Sequence, residues 1–491
     1  MHIADESHRP TATKACIAAC EEHFEREKIN VDDLERDDLA DVCRTLVTAY
    51  ADRCAARRGT PSELPPLADA DRLVETLADH FHAFGALGPA MRDPEIMEIQ
   101  ISSPDRIIAY YLDGRVAELP IVFRSDEEVQ RRVRRMLRMD ATATHHLDER
   151  HVFVDGLLSG GERLHVVGPP VGRHHKVNIR KAVGMREPSV GQLISNGTLG
   201  RNPDTAGRAG RFLQAAWLAE NSIIVTGSQG SGKTTSLRCL LASAAQVDAS
   251  SSFATGPVGS LEFTHTVVLE EAREIDPHEE LTANIDCFSC RTSDDPLLEV
   301  TMARLVKEAK RTYAQRIVVG EIRDGQVALD ALSAAREGLP FAATLHAETA
   351  AEAIDKFGLL MMLGGAPIEV AHRGIAGAID FVVVCERARV WNVETQAWER
   401  RPRITEIAAL TGEVSANGDA TLRPIFTRDA RTDALEAVGN VALADRQLRR
   451  FDRYDIDTHG LLLDPVTIDA RTGSVDIPST VVMAPATAVG Q

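Results

Sequence analysis

Residues Gly227-Ser228-Gln229-Gly230-Ser231-Gly232-Lys233-Thr234 fit G-x-x-x-x-G-K-[ST], the spacing that cradles a polyphosphate. Glycines let successive backbone amides turn inward as an anion nest, and a helix opening at the end of the loop adds its positive dipole end. Lys233 can reach the β- and γ-phosphates, Thr234 is placed to ligate Mg²⁺, and Thr235 follows it. Two carboxylates stand at the ends of apolar runs: Glu321 after Arg316-Ile317-Val318-Val319-Gly320, and Glu270, followed by Glu271, after Val267-Val268-Leu269. His346 follows Phe341-Ala342-Ala343-Thr344-Leu345. Phosphoryl transfer to water needs positioning and charge neutralisation more than covalent help. In that chemistry Glu321 holds magnesium through water or orients the attacking water, Glu270 or Glu321 serves as base, and His346 senses phosphate. No Asn-Lys-x-Asp guanine-reading motif occurs, which favours ATP as the nucleotide.

These residues need a scaffold that brings strand ends together. Ile223-Ile224-Val225, Val267 to Leu269, Ile317 to Val319 and Phe341 to Leu345 are short apolar runs separated by helical patterns, as in a parallel sheet covered on both faces. Parallel strands deliver their C-terminal ends to one edge, so Glu270, Glu321, His346 and the phosphate loop converge there. The fold class is α/β, with a motor domain expected over residues 206–427. Residues 79–183 read as an α+β domain of short strands, with a hairpin turn at Asp113-Gly114 and a charged helix from Asp126 to Met139. Residues 1–78 read as a helical extension. The stretch 184–205, rich in Gly, Pro, Ser and Asn, reads as an interdomain linker, and 428–491 as a tail of unassigned structure.

The composition agrees with several soluble domains: 491 residues, 44% hydrophobic and 26% charged, with no apolar run long enough to span a bilayer and no secretory signal at the start. A net charge of -18 disfavours broad adsorption to nucleic acid, and no basic-aromatic platform stands out, so no direct nucleic-acid partner is expected. Arg131-Arg132-Val133-Arg134-Arg135 reads as the solvated face of a helix. Among eight cysteines, Cys287 and Cys290 alone have ligand-like spacing, and a lone CxxC cannot close a tetrahedral zinc shell; Cys16 and Cys20 read as packed thiols.

Taken together, the segments resemble the type II/type IV secretion-system ATPases, in particular the Tad-pilus (CpaF/TadA) branch and the ring ATPases of type IV secretion and conjugation. The likeness rests on NGTLGRNPDTAGRAGRFLQAAWLAENSIIVTGSQGSGKTT, LEEAREI, RIVVGEIRDG, TLHAET and ITEIAALTG in the motor region. Upstream it rests on PEIMEIQISSPDRIIAYYLDGRV and VDGLLSGGERLHVVGPPVGRHHKVNIRK. It implies a RecA-like P-loop motor domain preceded by an α+β domain, and a homo-hexamer that hydrolyses ATP with Mg²⁺. It also implies Glu270 as catalytic, and Arg163 and Arg180 as phosphate-contacting arginines from the N-terminal domain. The place of work it implies is the cytoplasmic face of the inner membrane, against platform proteins of a pilus or secretion system. The residue reading also accommodates a nucleotide-binding regulator with little turnover, or a DNA-translocating motor. The family pattern is broken at Glu271 where Asp is usual, at Ala314-Gln315 where Pro-Asp is common, and at Leu339-Pro340-Phe341.

Overall fold

The computed structural model describes residues 11–29, 31, 34, 36–58, 67, 69–82, 84–138, 147–148, 151–158, 161–181, 188–245, 264–271, 275, 284–291, 297–392, 396–439 and 443–463. The chain divides into two compact units, residues 1–183 and 184–491. Among the described residues no helix is long and apolar enough to cross a membrane.

The first unit opens with α1 (Thr11–Glu27), α2 (Arg36–Ala56) and α3 (Ala70–Phe81), which bury Cys16, Cys20, Leu39, Cys43, Leu77 and Phe81 against one another. Asp69 caps α3 by accepting from the amide of Arg72. The buried Asp79 on α3 takes guanidinium groups from Arg36 at 2.9 Å and from Arg92 at 2.6 Å, tying α3 to the short α4 (Gly88–Arg92). An antiparallel six-stranded sheet follows, in the order β3 (Val116–Leu119), β2 (Arg106–Tyr111), β1 (Ile96–Ser103), β6 (Lys176–Arg180), β5 (Arg163–Val167), β4 (Phe153–Leu157). One face is packed by α5 (Asp126–Arg138) through Val129, Val133, Met136 and Leu137. The arginines of α5 are only in part the solvated face expected of them: Arg131 and Arg134 are exposed, whereas Arg132 and Arg135 are half-buried. Arg132 donates to the carbonyls of His82 and His80, and Arg134 to that of Leu147, so the charges lock the helix to its neighbours.

The second unit starts where a linker was expected. Ser189 caps α6 (Val190–Ser195), Asn202 caps α7 (Pro203–Leu218), and Pro203 occupies the first turn of α7. Val190, Leu193, Leu199 and almost all of α7 are buried. Residues 188–205 are therefore part of a packed body, their Gly, Pro, Ser and Asn serving as caps and turns. A nine-stranded sheet lies at the centre: β15 (Ala434–Ala437), β14 (Ala420–Asp429), β13 (Ala397–Val414), β12 (Phe381–Asn392), β7 (Ile223–Gly227), β11 (Phe341–Leu345), β10 (Arg316–Val319), β8 (Thr266–Glu270), β9 (Ile285–Ser289). From β12 to β9 all neighbours are parallel.

Side chains of the parallel strands alternate between two cores. Ile223, Val225, Val268 and Val318 join the layer of α7 and α8 (Lys233–Ala245). Ile224, Val267, Ile317 and Val319 join the layer of α9 (Met302–Ala309), α10 (Gly325–Arg336), α11 (Ala350–Leu363) and α12 (Ile368–Ala378). Burial on both faces is why these strands read as unbroken apolar runs. β9 carries Cys287 and ends one residue before Cys290. Cys287 packs into the first core and Cys290 into the second, so the strand points them to opposite faces.

The unassigned tail contributes α13 (Asp445–Arg453) and α14 (Thr458–Leu463), which bury Phe451, Ile456 and Leu461. Asp380, fully buried at the start of β12, accepts from Arg446 at 2.8 Å, Arg450 at 2.9 Å and the amide of Ser222 at 2.8 Å. Gln447 donates to the carbonyls of Asp380 and Leu410. The residues after 463 lie outside the described ones.

Candidate active site

The phosphate loop leaves the C-terminal end of β7 in a conformation few residues can take. Gly227 has φ +147°, and a Cβ there would stand 2.0 Å from the carbonyl oxygen of Cys385 on β12. Gly232 has φ +94°, with Pro402 of β13 2.8 Å from where its Cβ would be. Both therefore require glycine. Lys233 opens α8 and turns its ammonium back into the loop, donating to Gly227 O at 2.9 Å and Ser228 O at 2.8 Å. Thr234 and Thr235 follow in the first turn.

The strand ends are tied by hydroxyls: Thr226 donates to Ala347 O, and Thr344 to Gly320 O. These ties hold the ends of β7, β11 and β10 level, and three expected site residues meet there. His346 Nδ1 lies 3.2 Å from Lys233 Nζ, and His346 Nε2 lies 3.2 Å from Glu321 Oε1. Burial, then the Lys233 charge, hold the His346 pKa below the usual histidine value against the opposing pull of Glu321. The neutral ring accepts from Lys233 at Nδ1 and donates to Glu321 from Nε2, a tautomer assigned from its partners. Glu321 also accepts from Arg323 at 2.6 Å, and Arg323 reaches Glu271 at 3.0 Å. A chain of charge-assisted contacts thus runs Lys233, His346, Glu321, Arg323, Glu271.

Glu270 ends β8 with its side chain buried, and its Oε1 accepts from the amide of Ile275 at 2.8 Å. A Cβ on Gly320 would come within 3.2 Å of the Glu270 Cγ. A side chain at position 320 would therefore press on Glu270, which would have to give by a few tenths of an ångström. The unusual Gln315 hydrogen-bonds both ways with the backbone of His265, and Phe341 is buried in a stacked pair with Phe357. The departures at these two positions serve packing of the motor sheet.

Two participants escaped sequence reasoning. Arg323 was passed over, although it stands two residues after Glu321. Arg387 on β12 places its guanidinium Nη1 3.4 Å from where a Gly230 Cβ would be, and among the described residues it makes no ion pair. Burial, then the nearby Arg400 charge, lower its pKa. Only the fold brings it to the loop, across a strand 160 residues later in the chain.

Arg163 and Arg180 belong to the first unit. They are direct cross-strand partners on β5 and β6, with Glu98 of β1 beside Arg180. All three point away from the face that carries Leu164 and Ile179 into the core.

The type II/IV secretion system protein family model matches residues 86–408. A putative conjugal transfer protein of Mycobacterium tuberculosis is 28% identical over 335 residues, covering 66% of this chain and 84% of that one. The conjugal transfer protein TrbB of Rhizobium radiobacter is 28% identical over 319 residues, covering 65% and 87%. The type IV secretion system protein PtlH of Bordetella pertussis is 27% identical over 275 residues, covering 50% and 75%. Among solved structures, the ATPase DotB of Legionella pneumophila aligns with TM-score 0.45 and 18% identity over 65% of this chain and 79% of its own. The VirB11 ATPase of Brucella suis aligns with TM-score 0.31 and 19% identity, covering 66% and 95%. The matched span takes in the phosphate loop, both acidic strand ends, His346 and the paired arginines, and this chain belongs to the type II/IV secretion system protein family.

Proposed function

We propose that the protein is an ATP-hydrolysing motor that assembles as a homo-hexamer. It works peripherally at the inner face of the cell membrane on platform proteins of a secretion, conjugation or pilus system, the last including the Tad type. The observation that supports this most directly is the contact chain from Lys233 through His346 to Glu321 at one strand edge. It links the group that would neutralise the β- and γ-phosphates to a carboxylate able to orient water. His346 is placed to register whether Lys233 faces the loop carbonyls or a phosphate.

The oxygen donors fit magnesium: the Thr234 hydroxyl and the Glu321 carboxylate are hard ligands, with Glu270 buried on the adjoining strand end. Bound there, the ion would offset charge on the β- and γ-phosphate oxygens. Glu321 accepts from His346 and Arg323, contacts that would fix its orientation as it holds that ion's water or the attacking water. Arg163 and Arg180 are proposed as the guanidinium pair that meets nucleotide phosphate from the N-terminal domain, and loss of the γ-phosphate would release them.

Lys233→Ala is the test. Purified protein should hydrolyse ATP, and the variant should fall to background, whereas Glu321→Gln and Glu270→Gln should bind ATP without turnover. Wild-type protein no more active than Lys233→Ala, with lipid and partners supplied, would overturn the motor reading.

A further inference from the structure

β12 pairs with β7 only as far as Cys385, opposite Gly227. Beyond that point Glu386 to Asn392 pair solely with Ala397 to Arg403 of β13, so the hairpin leaves the sheet as a two-stranded ribbon. Its register sets Arg389 opposite Arg400 and Trp391 opposite Trp398. Cross-strand partners share a face, so one face carries a basic pair followed, two residues farther out, by an aromatic pair. The indoles meet edge to face with centroids 5.6 Å apart, and the Arg389 guanidinium lies 5.1 Å from the Trp398 ring centroid. Trp391 and Trp398 are 39% and 58% exposed, a costly placement for two of the chain's three tryptophans. Among the described residues neither Arg389 nor Arg400 has a carboxylate partner, although the chain carries a net charge of -18. Two unneutralised cations directly opposite one another destabilise a bare ribbon, which points to an anionic partner.

We propose that this ribbon end adsorbs to an anionic phospholipid surface, with Trp391 and Trp398 entering the headgroup layer and Arg389 and Arg400 meeting lipid phosphates behind them. At about 3.3 Å of rise per residue the two pairs stand about 7 Å apart along the ribbon. A headgroup layer is about 5–7 Å deep on each side of the hydrocarbon. The order along the ribbon therefore matches the order in depth at a bilayer surface, where indoles lie at the interface and guanidinium groups bind phosphate. A single-stranded nucleic acid would need a longer basic track and open ring faces. Here the rings are occupied by each other and by Arg389. The inference gives a contact to the membrane-associated reading above, but its test does not depend on hydrolysis.

The full-length protein is floated with vesicles of phosphatidylglycerol and phosphatidylcholine, and with phosphatidylcholine alone. Binding should require phosphatidylglycerol and weaken with salt. Because Trp217 is buried, a vesicle-dependent blue shift in tryptophan emission reports the ribbon. Arg389→Gln/Arg400→Gln should bind about 25-fold more weakly, at about fivefold per arginine. Trp391→Ser/Trp398→Ser should lose the blue shift, and both variants should keep vesicle-free ATP binding and unfold no earlier than wild type, the arginine variant somewhat later because its like-charge pair is gone. Wild-type binding equal on neutral and anionic vesicles, or unchanged in both variants, would overturn the proposal. So would binding of an oligo-dT strand through the same four residues with no vesicle binding.

Discussion

Replacing His346 by Ala removes the joint between the phosphate loop and Glu321, and the structure sets the size of the effect. The ring contributes two contacts of 3.2 Å, one to a cation and one to a carboxylate. A hydrogen bond to a charged group contributes about 1.5–3 kcal/mol. With 35% of the side chain exposed, water replaces part of that, leaving the equivalent of about one such bond. If that loss falls on the transition state, turnover drops about 10- to 100-fold, since 1.36 kcal/mol is tenfold in rate. ATP affinity should change little, because Lys233 keeps its position at the loop. The pH dependence adds a second readout. The folded pKa of His346 lies below the ordinary 6.5, so the folded protein favours the neutral ring. Above about 6.5 both folded and unfolded rings are neutral and stability is unaffected. As pH falls from there toward the folded pKa, the unfolded chain takes the proton first and stability declines; below the folded pKa the loss is complete. Protonation also removes the acceptor for Lys233 and sets two cations together, so activity should share this acid limb. His346→Asn, which cannot titrate, should lack that contribution in both melting temperature and rate. A His346→Ala enzyme with wild-type turnover and an unchanged acid limb would refute the relay.

Asp380→Ala should lower stability by about 3–5 kcal/mol, because it strands the guanidinium groups of Arg446 and Arg450 against a buried strand end; a melting temperature drop on the order of 10 °C is expected. Gly320→Asp should destabilise by about 1–3 kcal/mol and reduce turnover, since the new Cβ crowds Glu270; increased turnover in a steady-state ATPase assay would contradict this. Arg163→Ala and Arg180→Ala should impair ATP hydrolysis and ATP-dependent compaction in solution scattering while melting as wild type, with lysine rescuing poorly because it lacks the planar fork.

How far the sequence could be read depended on where each element's partners lie in the chain. β7, β8, β10 and β11 were legible because both of their faces are buried, which leaves a continuous apolar run between breakers. The hairpin at Asp113-Gly114 was legible because its chemistry is local: Gly114 takes φ +87°, and Asp113 accepts from the amide of Arg115. Residues 188–205 misled because the side chains that loosen a linker also cap helices. Ser189 and Asn202 act as caps, and Gly197 and Gly200 supply φ values of +75° and +115° inside a packed body. Composition cannot distinguish these uses.

The same reasoning explains why the centre of the site was legible and its surroundings were not. Lys233, Glu270, Glu321 and His346 each stand at or just beyond the end of their own strand, so strand order alone brings them to one edge. Arg323, Arg387 and the anchors of α13 act through partners that lie far away in the chain or carry no motif. In one dimension an arginine bound to a buried Asp380 looks the same as one in water. The ribbon is the extreme case. Trp391 and Trp398 are separated by a turn and embedded in mixed charge, so the sequence shows no basic-aromatic platform. The register of β12 and β13 makes one by placing both rings, and then both arginines, on a single face. Alternation within a strand is visible in sequence; pairing between strands, which decides what a surface presents, is not.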